Sequence, residues 1–370
     1  PRSRPKTPSA SVPLRALMAL RDRLTAQIAA TGPLSLAEYM TICLHDPQAG
    51  YYATRPGLGA GGDFITAPLV SQMFGELIGL WAAACWRALG TPPRVRLVEM
   101  GPGDGTLMAD LLRAGAAVPG FIEAADLWLV EVSPPLKALQ AERLAKAAPQ
   151  WADSLDSVPE GAPIILVANE LLDCMPTRQF VRTPRGWAER MVGLDEAGDL
   201  TFGLSAPLPA DGRPGEVGAV FETSPAQAAL GSQIGARLAA EGGAALLIDY
   251  GPAAGEEGGD TFQALKGHQK VDPLACPGEA DLTFHADFAA VAQAARAEGA
   301  QAQPLLTQAE FLGRLGIEAR ASALARSRPD LADTLGRQFD RLTAHDQMGV
   351  LFKVLALHGP GFIPPAFEAD

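Results

Sequence analysis

A chain of 370 residues, 48 % hydrophobic and 19 % charged, has length for about two domains or one enlarged core, which excludes a disordered chain and a coiled coil. Its 39 Gly and 31 Pro show no period of three and punctuate turns. The net charge of −12 supplies no basic stripe, which argues against nucleic acid as a partner.

The four cysteines, Cys43, Cys85, Cys174 and Cys276, form no CxxC pair and read as isolated core thiols in a reducing compartment. The five histidines show no metal-ligand spacing, so no metal is expected. No membrane span is expected either, because the most apolar run, 77–86, is too short. The expected compartment is the cytoplasm. The basic, Pro/Ser-rich start PRSRPKTPSASV leaves the mitochondrial matrix as the alternative for a eukaryotic chain.

Along the chain, residues 1–13 read as a mobile tail. Helical spacing covers 14–30, and Ser35 with Glu38 forms a capping box for a short helix. A Gly-rich, aromatic-studded loop runs over 45–68, followed by a helix over 71–89. Four apolar strands at 94–101, 127–133, 163–170 and 244–251 alternate with helices over 106–113, 135–146 and 223–241. That alternation predicts a doubly wound, mostly parallel α/β sheet buried on both faces. An antiparallel insertion is expected over 178–205, a long polar loop over 256–283, a helix over 287–298, a weak strand over 300–307 and a final strand over 350–358. The organisation is therefore an N-terminal helical cap with a lid loop (14–90), a core in two parts (91–176 and 222–370) around the insertion (177–221), and a substrate-side loop at 252–285.

The strongest local signal is VEMGPGDGTL, which places Glu99, Gly101, Gly103 and Gly105 at alternate positions. The glycines let the chain turn sharply from strand to helix and let a ligand approach the backbone. In the dinucleotide fingerprint GxGxxG the third glycine would fall at Thr106. The spacing found, ExGxGxG, is that of class I S-adenosylmethionine (SAM) methyltransferases. Asp104 lies inside this turn and counts as a cofactor candidate. Glu131, near the end of the second strand, is placed to accept both ribose hydroxyls of a nucleoside. Asp153 and Ser154 fall where the next strand's loop would meet the adenine.

The third strand ends in ANELLDCMP. Asn169 offers an amide to the amino-acid end of a cofactor. Glu170 and Asp173 are the catalytic candidates: two carboxylates that can grip a guanidinium through charge-assisted hydrogen bonds. The segment GGDFITAP gives Gly62, Asp63, Phe64 and Thr66 as substrate-side residues of a lid.

Taken together, GGDFITAP, VEMGPGDGTLMADLL, VANELLDCMPTRQF, LLIDYG, GDTFQALKGHQKVDPL and LFKVLAL resemble the MidA-like family, over roughly residues 30 to 358. One departure is Leu69, where the family often carries an acid after the proline. The resemblance implies a class I SAM methyltransferase core with SAM held by Gly101, Gly103, Gly105 and Glu131. It also implies a protein partner, with symmetric dimethylation of an arginine on a respiratory complex I subunit. Two alternatives stay open: an assembly chaperone that retains a SAM pocket without catalysis, and a methyltransferase of small molecules. An NAD-dependent oxidoreductase is disfavoured by the missing third glycine. The turn yields a direct expectation: Gly103→Val abolishes SAM binding measured by calorimetry, and normal affinity in that variant would refute this placement of the cofactor.

Overall fold

The computed structural model describes residues 19–54, 66–209, 212–253 and 259–368. The chain enters through helices α1 (Leu20–Thr31) and α2 (Leu36–His45). The Ser35 hydroxyl caps α2 by accepting the Glu38 N–H, and the Glu38 side chain returns the bond to the Ser35 N–H, so the predicted capping box forms. After the short helix Tyr51–Thr54 comes α3 (Gln72–Ala88), which packs on the central sheet instead of joining the cap.

Next come β1 (Val95–Met100), α4 (Thr106–Gly115), β2 (Ala125–Val130), α5 (Pro134–Arg143), β3 (Gln150–Ala152) and β4 (Ile164–Asn169). The antiparallel insertion consists of β5 (Arg178–Thr183), β6 (Gly186–Leu194), β7 (Leu200–Leu204) and β8 (Val220–Thr223). The core resumes with α6 (Pro225–Glu241) and β9 (Gly243–Tyr250). Where the sequence suggested only a polar loop over 256–283, the chain makes a three-stranded antiparallel sheet of β10 (Gln263–Lys266), β11 (Gln269–Val271) and β12 (Asp281–Thr283). Its strands are too short and polar for alternation to stand out, yet Ala264 and Leu282 face inward and are buried. Helix α7 (Phe288–Ala297) follows. Three helices not anticipated, α8 (Gln308–Arg314), α9 (Ile317–Ser327) and α10 (Ala332–Thr343), lead to β13 (Phe352–His358).

In the central sheet the order is β13-β9-β4-β1-β2-β3, and the expected weak strand over 300–307 forms as two short strands, Gln301–Ala302 and Leu306–Thr307, both antiparallel to β13. Neighbours from β9 to β3 pair in parallel, and β13 runs antiparallel to β9. Alternate residues feed opposite cores: Val95, Leu97, Ile165 and Val167 pack with α3 and α4, whereas Val98, Leu166 and Ala168 pack with α6 and α7. Both faces are thus dry, which explains the continuous apolar runs. A third core joins the cap, the insertion and the small sheet through Leu24, Tyr39, Met40, Val192, Leu282 and Phe284. Segments far apart in sequence therefore make one body over the carboxyl ends of the strands.

Glycines set the closest helix approaches. A methyl group added at Gly79 of α3 would meet the Leu111 carbonyl oxygen of α4, whereas one at Gly336 of α10 would meet nothing within 4 Å. The same substitution should then have opposite signs. Gly79→Ala lowers stability by about 1–3 kcal/mol through overpacking, and Gly336→Ala raises it by about 0.5–1 kcal/mol through helix propensity, both read from urea unfolding.

Candidate functional site

The chain leaves β1 and enters α4 through Gly101, Gly103 and Gly105, with φ of +64°, +54° and +82°. Side-chain-bearing residues are strained in that region. The Gly101 N–H donates to the Val130 carbonyl at 3.0 Å, tying the turn to the end of β2, and the Gly105 N–H donates to the Pro102 carbonyl at 2.8 Å, closing the turn on itself. Asp104 accepts the Thr106 N–H at 3.0 Å and pairs with Arg143 at 2.5 Å, so it braces the start of α4.

A cavity of about 240 Å³ opens against this turn. Gly101, Gly103, Asp104, Glu131, Asn169, Glu170 and Thr66 all line it. Gly105 stands just behind as the residue capping α4. Asp153 and Ser154 are elsewhere. After β3 the chain turns outward into a short 3-10 turn that buries Leu155 instead, leaving Asp153 exposed and paired with Lys137 at 2.8 Å and Ser154 against Ser157 at 3.0 Å. Gly62, Asp63 and Phe64 lie outside the described residues.

Glu131 is fixed by three donors. Its Oε1 accepts the Val132 and Ser133 N–H groups at 2.8 and 2.7 Å, and its Oε2 accepts the Gln140 amide at 3.2 Å. Burial pushes its carboxyl up, while those donors pull it down. Gln140, fully buried, also donates to the Gly103 carbonyl at 2.7 Å and accepts from Trp151 Nε1 at 2.9 Å. A single glutamine thus joins the glycine turn to the acid, and nothing in the sequence singled it out. The cap supplies His45 and Tyr52 from the aromatic stretch noted above. The rings stack at 5.9 Å, and the Tyr52 carbonyl accepts the Ser133 hydroxyl at 2.8 Å. Burial lowers the His45 pKa below the ordinary imidazole value.

At the end of β4, Glu170 holds a φ of +53°, a left-handed conformation that costs a residue of its kind about 1–3 kcal/mol and is typical of functional sites. Its Oε1 accepts the Ala67 N–H at 3.2 Å and the Asn169 amide at 2.9 Å. Burial, then the nearby Asp173 charge, push it up to about 8. Asp173 does not line the cavity. It is buried behind Glu170, raised to about 6 by burial, and takes a hydrogen bond from Tyr250 that opposes the rise.

These features fit a cationic nucleoside. Glu99 Oε2 and Asn169 Oδ1 are buried acceptors with no partner among the described residues, and both residues border the cavity. Glu99, Asp104, Glu131 and Glu170 line it, and no Lys or Arg does among the described residues. Burial raises Glu99 and Glu170, so both give up their protons most readily beside a cation, and the wall favours a sulfonium or an ammonium over a pyrophosphate. Fold and site together define a SAM-dependent methyltransferase.

Comparison with known proteins bears on this directly. Residues 77–305 match the family of S-adenosyl-L-methionine-dependent methyltransferases. A crystal structure of a likely methyl transfer enzyme from Burkholderia thailandensis bound to S-adenosyl-homocysteine is 32 % identical, with a TM-score of 0.83, covering 98 % of this chain and 97 % of that one. The mitochondrial protein arginine methyltransferase NDUFAF7 of Danio rerio is 36 % identical over 90 % of this chain and 85 % of its own length. The Homo sapiens protein of that name is 35 % identical over 90 % of this chain and 82 % of its own. The chain belongs to the MidA-like family of SAM-dependent methyltransferases. Among the described residues no helix is long and apolar enough to cross a membrane.

If Glu131 tethers the ribose, Glu131→Ala weakens S-adenosyl-homocysteine binding by about 1.5–3 kcal/mol, the worth of hydrogen bonds to a charged group, in a calorimetric titration. Unchanged affinity would place the sugar elsewhere.

Proposed function

We propose that the protein methylates an arginine side chain of a protein partner, with a respiratory complex I subunit as the candidate. We place the activity in the cytoplasm, with the mitochondrial matrix as the alternative. The observation that carries the reading is Glu170, a buried, strained carboxyl at the cavity wall whose pKa is raised to about 8. The names of the arginine methyltransferase relatives support it.

When bound, SAM supplies an electrophilic methyl group on a sulfonium. This chain's residues then do the positioning. The Glu131 carboxylate and the glycine turn hold the nucleoside end, and Asn169 presents its free Oδ1 beside them. A guanidinium entering against Glu170 meets a carboxyl that is mostly protonated at pH 7 in the free protein. The cation draws it towards the carboxylate, forming a charge-assisted pair that localises charge and aims one nitrogen. As the N–CH3 bond forms, that nitrogen gives up a proton, and the Glu170 carboxylate is placed to hold it. Asp173, behind it, keeps Glu170 basic enough for the task. The apolar walls at Leu107, Leu136 and Leu171 exclude water.

The sign of the pH dependence follows. A raised acid is neutral below its pKa, so acceptor capture rises as pH passes through about 8. Glu170→Gln removes that rising limb and cuts transfer about 10²-fold or more, while S-adenosyl-homocysteine affinity stays near wild type. The decisive measurement is mass spectrometry of methylated arginine peptides in cells with and without the protein, followed by labelled-SAM transfer to the peptide found. Label on small molecules only would favour the small-molecule reading. SAM binding with no transfer at all would favour the chaperone.

A further inference from the structure

The turn from Glu170 to Asp173 belongs to no helix and no sheet ladder. The Glu170 N–H donates to the Ile248 carbonyl at 2.8 Å. Beyond it, the Leu172 and Asp173 N–H groups converge on one oxygen, Asp249 Oδ2, at 2.8 and 3.2 Å. The other carboxyl oxygen accepts the Tyr250 N–H at 2.8 Å. From the far side Gln227 donates to the Leu172 carbonyl at 2.8 Å and is itself fixed by the Asp287 N–H at 2.7 Å. Asp249 and Gln227 have no exposed surface, and Asp249 does not line the cavity.

A centre strand buried on both faces would ordinarily carry an apolar residue here, as its neighbours Leu246, Leu247 and Ile248 do. An apolar side chain would leave two buried N–H donors without an acceptor, and a hydroxyl could not serve three. We infer that Asp249 is a positioning residue for methyl transfer: its carboxylate clamps the 170–173 turn to β9 and so holds the Glu170 carboxyl, in its left-handed conformation, against the acceptor side of the cavity. The inference rests on Glu170 facing the acceptor, and it does not depend on which acceptor is used.

Among the described residues, titratable and charged groups face Asp249 from the turn, from its own strand and from β13. Glu170, Asp173 and Cys174 come from the turn, and Tyr250 from its own strand, with His285 and Asp281 beyond that ring. Lys353 is its register partner on β13 and donates to the carbonyls of Gly251, Val350 and Leu351. Burial and the two acidic neighbours press Asp249 upward, against the pull of the backbone donors. Release of the turn would let water reach Glu170, whose carboxyl is held high first of all by burial.

Two variants of the full chain, both saturated with S-adenosyl-homocysteine, test this without any acceptor. In Asp249→Asn, the Glu170 carboxyl, followed by carbon-13 NMR and assigned with Glu170→Gln, titrates about one pH unit or more below its wild-type midpoint. Affinity for S-adenosyl-homocysteine in that variant stays within about fivefold. In Asp249→Ala, the Leu172 and Asp173 amides exchange about tenfold faster or more, while amides in β4 do not change. An unmoved Glu170 midpoint overturns the assignment, as does unmoved exchange at 172 and 173. A larger loss of affinity also overturns it, since Asp249 would then support the cofactor wall. Should the Ala variant fail to fold, the Asn variant decides alone. Absence of arginine methylation in cells would sink the acceptor reading and leave these measurements standing.

Discussion

The structure turns on how acidic side chains are held in and behind the cavity wall. Around the cavity the answer comes from main-chain N–H groups. Glu131 takes two of them and an amide, Asp104 takes one beside its ion pair with Arg143, and Asp249, a layer deeper, takes three. A doubly wound parallel sheet makes this feasible, because its strands end at one edge and leave donors there that no ladder satisfies. The carboxylates that repair the edge also give the cavity its sign. Architecture and electrostatics are thus the same set of hydrogen bonds.

The three appended pieces serve that edge. Helix α2 and the short helix after it bring His45 and Tyr52 to the cavity, and the Tyr52 hydroxyl donates to Asp281 of the small sheet at 2.8 Å. The insertion is tied to the region before β10 through Gln179, which donates to Glu222 and Asp260 at 2.6 and 2.8 Å. Because these parts share one apolar core, a shift in any of them reaches the wall around Glu170. A substrate-side surface built this way is a unit, whatever the spacing of its parts in sequence.

Much of the cavity wall is legible in the sequence. The glycine turn and Glu131 follow from spacing and strand position, since only backbone geometry is needed to read them. Asn169 and Glu170 were found because the end of a parallel strand is a small target. The same logic points to Asp153 and Ser154, which do not line the described cavity because β3 has three residues and its chain exits outward. Gln140 and Asp249 escaped notice for a different reason. Each acts through contacts with residues distant in sequence, and a glutamine in a helix or an aspartate in a strand announces no partner. The helices over 308–343 did carry a signal, the Thr307 and Glu310 capping box, in a stretch where helical periodicity went unread. The small sheet had none, as short polar strands resemble loops until their partners are known.

The scarcity of cations at the cavity bears on turnover as well as on capture. A bound SAM would carry a positive sulfonium where its demethylated product carries a neutral thioether, so the wall around Glu131 would hold the product with less electrostatic attraction. An enclosure lined with acids and lacking lysine or arginine among its described residues thereby biases exchange towards reloading, and the discarded half of the reaction is loosened by the very event that creates it.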